Sequence, residues 1–268
     1  MVGRLAGKVA VVIGAGQSPG ESIGNGRATA IRFAQEGAAV LAVDRDGDSA
    51  RETLAMAGDC EGEAFEADVR QSKSLQQAVD TAMARWGKID ILHYNVGVSV
   101  AGGDAPLEEI TDESFDRIMS INLRGAVLAA KFVQPIMRNQ GSGVVLNVSS
   151  MSAIETSTQL VGYRTSKAGL IAFTQQFAMH NAEYGIRANA ILPGRMDTAM
   201  AVDTRSKLTG TPREEILAQR QGLIPLRGRV GTGWDVANAA VFLASDEAGF
   251  VTGVSLPVDG GSLVKIGW

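Results

Sequence analysis

Residues 8–26 read KVAVVIGAGQSPGESIGNG, and residues 27–37 continue RATAIRFAQEG. The first part holds a continuous apolar run, Val9 to Ile13, that breaks into glycines. The second gathers Ala28, Ile31, Phe33 and Ala34 on one side and stops at Gly37. A short apolar run bounded by turn residues fits a strand buried on both faces. The segment behind it has a helical period and a glycine stop. A strand that feeds a helix through glycines suits a bound pyrophosphate. Glycine lets the backbone approach the phosphates, and the helix N-terminus favours the anion. A glycine cluster alone is weak evidence, since a plain Gly-rich turn reads the same way.

The same alternation runs down the chain. Buried strands are expected at AVLAVDRD (39–46), EAFEADV (63–69), KIDILHYNVG (88–97), GVVLNVSS (143–150), IRANAILPG (186–194) and VSLPVDGG (254–261). Helices are expected at 27–38, 49–59, 74–87, 111–139, 163–185 and 232–245. Residues 195–230 are polar, contain Gly210 and Pro212, and read as a mobile excursion beside the substrate. Continuous apolar strands that alternate with helices mean a parallel sheet covered on both faces. The expected fold is a doubly wound (Rossmann) parallel sheet, a three-layer α/β/α arrangement, in a single domain over 1–268.

Composition narrows the function. The chain has 268 residues, 45% of them hydrophobic, so a sizeable core can form. A net charge of −4 argues against a nucleic-acid partner or an anionic membrane surface. The single cysteine, Cys60, excludes an internal disulfide and a Cys-based zinc cage. With His93 and His180 the only histidines, no metal site is expected. Neither end resembles a targeting signal, and no stretch approaches the roughly 20 apolar residues of a membrane span. A cytoplasmic protein with a small-molecule substrate is expected.

The chemistry gathers at strand ends. Asp44 closes the second strand, where a carboxylate can accept the adenosine ribose hydroxyls and repel a 2′-phosphate; this favours NAD, with NADP possible because Arg45 follows. Asp68 and Val69 end the third strand, at the position of an adenine pocket. Tyr94 to Gly97 end the fourth. Tyr163 and Lys167 share one helix face, and a lysine ammonium beside a phenol lowers the phenol's pKa toward working pH. Ser150 ends the fifth strand, with a hydroxyl able to bond a substrate oxygen.

GNGRATA, VDRD, ADV, YNVG, INLRG, NVSS, YRTSK, ILPGRMDT and FLASDEAGFVTGVSLPVDGG together resemble the short-chain dehydrogenase/reductase family over nearly the whole chain. The resemblance implies that Tyr163 is the general acid/base and that Lys167 lowers its pKa and binds the nicotinamide ribose. It implies that Ser150 contacts the substrate oxygen and that Asn122 holds a water in a proton relay. It makes Gly14, Ser22, Ile23, Gly24, Asn25, Gly26, Asp44, Arg45, Asp68 and Val69 cofactor-contacting, with Asn95 and Gly97 shaping the adenosine side. Pro193 and Gly194 would pass the nicotinamide, with Met196 and Thr198 beside it; Met196 also reads as packing and Thr198 as a cap. A homotetramer is implied, its contacts drawn from apolar residues such as Ala126, Leu128, Phe132, Phe173 and Phe177.

Three departures stand out. Ile13 replaces the usual Thr before the first glycine, and Tyr94 replaces the first Asn of the fourth-strand motif. Nine residues separate Gly14 from Gly24, where the family has three between its first two glycines. The excess, Gln17 to Glu21, is expected to bulge over the cofactor, with Ser18 and Ser22 able to donate to phosphate; an insertion without contact is the plainer alternative. Ser22-Ile23-Gly24 is similar to divergent enoyl-thioester reductases, but their wider Tyr–Lys spacing is not found here. The leading expectation is an NAD-dependent dehydrogenase of alcohols, polyols or sugars. Alternatives are an NADPH-dependent 3-oxoacyl thioester reductase, against which Asp44 argues, and a non-catalytic dinucleotide-binding regulator. Arg27, just beyond the loop, favours NADPH weakly.

Overall fold

The computed structural model describes residues 3–156, 159–226 and 229–265. In chain order its first half runs β1 (Val9–Ile13), α1 (Asn25–Gln35), β2 (Ala39–Asp44), α2 (Gly47–Ala57), β3 (Gly62–Glu66), α3 (Ser72–Trp86), β4 (Ile91–Tyr94), α4 (Asp112–Met119), α5 (Gly125–Gln140) and β5 (Gly143–Val148). It continues α6 (Val161–Asn181), β6 (Ile186–Pro193), β7 (Met196–Asp197), α7 (Thr204–Thr209), α8 (Arg213–Gly222), β8 (Gly231–Thr232), α9 (Gly233–Ala244) and β9 (Ser255–Val258). Seven strands form one sheet in the order β3-β2-β1-β4-β5-β6-β9, all parallel. The strand order reverses between β1 and β4, which is where such sheets bind ligands at their carboxyl edge.

Strand pleating sends alternate residues to opposite faces. Val11, Ile13, Leu92 and Val145 face the layer of α3, α5 and α6, where they meet Val79, Val133 and Leu170. Ala10, Val12, Ile91 and Leu146 face the other layer and meet Phe33 of α1 and Val236 of α9. This two-faced burial is the reason β1 and β5 are apolar without alternation.

Two expected elements differ. The helical stretch 111–139 is continuous but not regular: α4 passes through a π turn, Ser120–Arg124, into α5. The polar segment 195–230 is not a plain loop. It holds β7, a second π turn at Ala199–Asp203, α7 and α8, and β7 pairs with β8. Residues 157–158 and 227–228, the latter within the excursion, lie outside the described residues. No described helix is long and apolar enough to cross a membrane.

Candidate active site

The ends of β4 and β5 meet the start of α6, and four expected side chains gather there. Lys167 is 2% exposed. Its ammonium donates to the Val148 carbonyl at 2.8 Å and the Val96 carbonyl at 3.4 Å. It stands 5.8 Å from the centroid of the Tyr163 ring, one helical turn earlier. Burial pushes the Lys167 amine down to about 7.

Burial pushes the Tyr163 phenol above its ordinary value. A hydrogen bond with Ser150 opposes that shift, and the charge of Asp104 adds to it. The contact that lowers the phenol is Ser150, and the Lys167 ammonium lies beside the ring while bonding the Val148 and Val96 carbonyls. The Ser150 hydroxyl also accepts from the Ser152 amide at 3.1 Å, which fixes the turn after β5.

Gly97 belongs to this end of the site. A Cβ there would lie 3.1 Å from Lys167 Nζ, so the missing side chain admits the ammonium. Asn122 sits in the first π turn, fully buried. Its Oδ1 accepts from the Val98 amide at 2.8 Å, and its Nδ2 donates to the Val98 carbonyl at 2.9 Å and to Ser166 Oγ at 3.0 Å. The side chain is thus a clasp on the loop after β4.

At the other end, a Cβ on Gly26 would lie 1.9 Å from the Gly14 carbonyl oxygen. Only glycine lets α1 start against the turn after β1. Asn95 Nδ2 donates to that same carbonyl at 3.3 Å. Gln17 Oε1 accepts from the Gly24 amide at 2.8 Å and closes the base of the long loop. Asn25 Oδ1 is buried with no hydrogen-bond partner among the described residues. The Asp44 carboxylate, half-buried, accepts from the Gly16 amide at 2.8 Å and the Asp46 amide at 3.1 Å. Arg45 beside it is exposed. Arg27 is buried and committed to Ser49 Oγ at 2.9 Å and Glu52 at 2.7 Å.

A close-packed glycine cradle, an unmet buried amide oxygen and a strand-end carboxylate suit the ribose and phosphate groups of a dinucleotide. The Arg70 guanidinium and backbone amide both bond the Asp68 carboxylate and hold it below the usual range. The Val69 side chain is in the core, which leaves its backbone for a ligand.

Beyond β6, Gly194 donates to the Val258 carbonyl at 3.0 Å, so Pro193-Gly194 is fixed by β9. Thr198 Oγ1 accepts from the Ala201 amide at 3.3 Å and caps the second π turn. Pairing of β7 with β8 buries the Met196 side chain, and its carbonyl accepts from Arg220 at 3.3 Å. The Ser22 hydroxyl donates to Asp197 at 2.6 Å and accepts from Arg213 at 2.6 Å. Ile23 and Gly24 follow it with their carbonyls against Gly233 at the start of α9.

Sequence reading missed Asp104, Arg213 and Ser149, whose hydroxyl donates to the Lys167 carbonyl at 2.7 Å. The NVSS match held a signal for Ser149. The other two make contacts too distant in sequence to leave one.

A family model described as enoyl-(acyl carrier protein) reductase matches residues 20–262. A solved structure from Burkholderia xenovorans, provisionally assigned to the short-chain dehydrogenase/reductases, is 41% identical with a TM-score of 0.91, covering 99% of this chain and 100% of that one. The 3-oxoacyl-[acyl-carrier-protein] reductase FabG of Thermotoga maritima is 35% identical over 97% of this chain and 100% of the relative. Levodione reductase of Leifsonia aquatica is 34% identical over 96% and 95%.

Proposed function

The chain belongs to the short-chain dehydrogenase/reductase family of oxidoreductases, and from that premise we propose that it moves a hydride between NAD and the hydroxyl or carbonyl carbon of a small alcohol, polyol or sugar. The observation that carries this reading is the meeting of Tyr163, Lys167 and Ser150 at the carboxyl edge of the sheet. When bound, the nicotinamide ring supplies or takes up the hydride. Tyr163 Oη exchanges the proton with the substrate oxygen, and Ser150 Oγ donates to that oxygen. In reduction the phenol is the proton donor. Lys167 holds the ribose of the nicotinamide, and its depressed pKa lets its charge vary near neutrality.

Asp44 supports NAD over NADP. Its carboxylate would repel a 2′-phosphate, and Arg27 is tied to Ser49 and Glu52 rather than free to bind one. The cofactor contacts are the Gly14–Gly26 cradle with Asn25, Asp44, the Val69 backbone, Asn95, Pro193-Gly194 and Thr198. The family model's description and the FabG likeness favour a second reading, an NADPH-dependent reductase of acyl thioesters. The four-residue spacing of Tyr163 and Lys167 favours carbonyl over enoyl chemistry.

A homotetramer is part of the proposal. Leu128, Phe132 and Phe173 are only partly buried and Met179 is exposed, whereas Ala126 and Phe177 are used within the protomer core. The test is a screen of NAD and NADP reduction over sugars, polyols, secondary alcohols and hydroxyacyl thioesters. Turnover with NAD and an alcohol supports the leading reading. Turnover confined to thioesters with NADP(H) selects the second.

A further inference from the structure

Helix α6, which carries Tyr163, is flanked by Leu160, an apolar side chain that makes no cap. Its first turn is held from a distance instead. The Asp104 carboxylate accepts from the Gly162 amide at 2.9 Å through Oδ1 and from the Tyr163 amide at 2.9 Å through Oδ2. Asp104 is 6% exposed, so these bonds are made away from water. A carboxylate at a helix N-terminus satisfies orphan donors and complements the helix dipole.

The loop that brings Asp104 there is itself pinned. Its start is clasped at Val98 by the Asn122 side chain, and the Asp104 amide donates to the Ser99 carbonyl at 3.3 Å. Its end accepts from the Val161 amide through Ala105 at 3.3 Å. Asn122, the loop and the first turn of α6 therefore form one connected frame, with Asp104 as the link to the tyrosine.

We propose that Asp104 is a positioning residue for proton transfer: its carboxylate fixes where the Tyr163 phenol stands by holding the first turn of α6. This rests on the proposed role of Tyr163. The charged groups on elements around the start of α6 are Lys167 and Arg164 on the helix itself, the Glu155–Arg195 pair after β5, and Asp116 and Arg117 on α4. Asp104, which bonds the Tyr163 amide, adds to the burial that raises the phenol. The residue thus favours a protonated phenol, while the Ser150 hydrogen bond favours the ionised one.

The test compares Asp104→Asn, which keeps the shape but removes the charge and one of the two acceptors of the cap, with Asp104→Ala, which removes the whole cap. The phenol titration is read by ultraviolet absorbance as the difference between each protein and its Tyr163→Phe partner. In Asp104→Asn that titration, and the pH profile of kcat, should move to lower pH while NADH affinity stays at the wild-type value. In Asp104→Ala kcat should fall roughly 10- to 100-fold, the cost of a misplaced reacting group, with the cofactor KM unchanged. A wild-type titration in Asp104→Asn, or a wild-type kcat in Asp104→Ala, would overturn the proposal. If Asp104→Ala does not fold, the Asp104→Asn titration decides. That titration needs no substrate, so it stands even if no alcohol or carbonyl compound is turned over, a result that would instead sink the reading of function.

Discussion

Ser22 and Asp197, 175 residues apart, share a hydrogen bond of 2.6 Å. Arg213 Nη2 reaches both, at 2.6 Å from Ser22 Oγ and 2.9 Å from Asp197 Oδ1. The same guanidinium bonds Asp203 at 3.0 Å and pairs with Glu21 at 3.3 Å. The expanded glycine loop is therefore strapped to the segment that follows β6.

Cutting the strap should loosen both sides. Arg213→Ala leaves Asp197 and Asp203 without their cation, and removing one partner of a partly buried charge cluster costs on the order of 3 kcal/mol. A lower Tm and a faster release of NADH, followed by its fluorescence, are expected. Wild-type release from the variant would show that the loop is held by other contacts.

The Asp44 carboxylate should set the choice of dinucleotide. A hydrogen bond to a charged group is worth roughly 1.5–3 kcal/mol, so Asp44→Ala should lose about tenfold or more of the preference for NAD in kcat/KM. Equal use of NAD and NADP by the wild type would mean that Arg45 offsets the carboxylate.

Tyr94 and Gly125 should be coupled. Tyr94 Oη donates to the Ile121 carbonyl at 2.5 Å, beside Asn122, and a Cβ on Gly125 would lie 2.3 Å from that hydroxyl. Gly125→Ala should destabilise by about 1–3 kcal/mol through overpacking. In a Tyr94→Phe background the added loss should be smaller, because the hydroxyl is gone. A double-mutant cycle in urea reads the difference. Additive losses would rule out the contact as the cause.

His93 should make the protein acid-sensitive. It is fully buried, its ring nitrogens have no partner among the described residues, and burial pushes it from 6.5 to about 3. Between those values the unfolded chain binds a proton that the folded chain does not. Stability is therefore full above about 6.5 and is lost as pH falls toward about 3. The loss is on the order of 4 kcal/mol at the lower end. His93→Leu should flatten the fall in Tm between pH 7 and 4, roughly the span of that window. An unchanged slope would exclude His93.

Much of this was legible in the sequence because the causes were local. Strands buried on both faces need apolar runs such as Val9 to Ile13, and the closeness of α1 to β1 needs Gly26. Tyr163 and Lys167 fall on one helix face by spacing alone. What was not legible depends on distant partners. Residues 204–222 look like loop because they are polar, yet α7 and α8 stand with Arg213 bound to Ser22, Asp197 and Asp203. The π turn at Ser120–Arg124 breaks a helical period that the sequence carries through without interruption. Its Ile121 carbonyl is met by Tyr94, a residue read only as a departure. The Asp104 cap joins residues 59 positions apart, with no signal at either end.

The central claim is that the Tyr163 phenol exchanges the substrate proton. It is tested by Tyr163→Phe, assayed with the best substrate from the screen while NADH binding is titrated in parallel. The variant should bind NADH as the wild type does and lose roughly 100- to 10,000-fold in kcat, the contribution of general acid/base catalysis. A variant that keeps more than about a tenth of wild-type turnover, well above that range, would contradict the account.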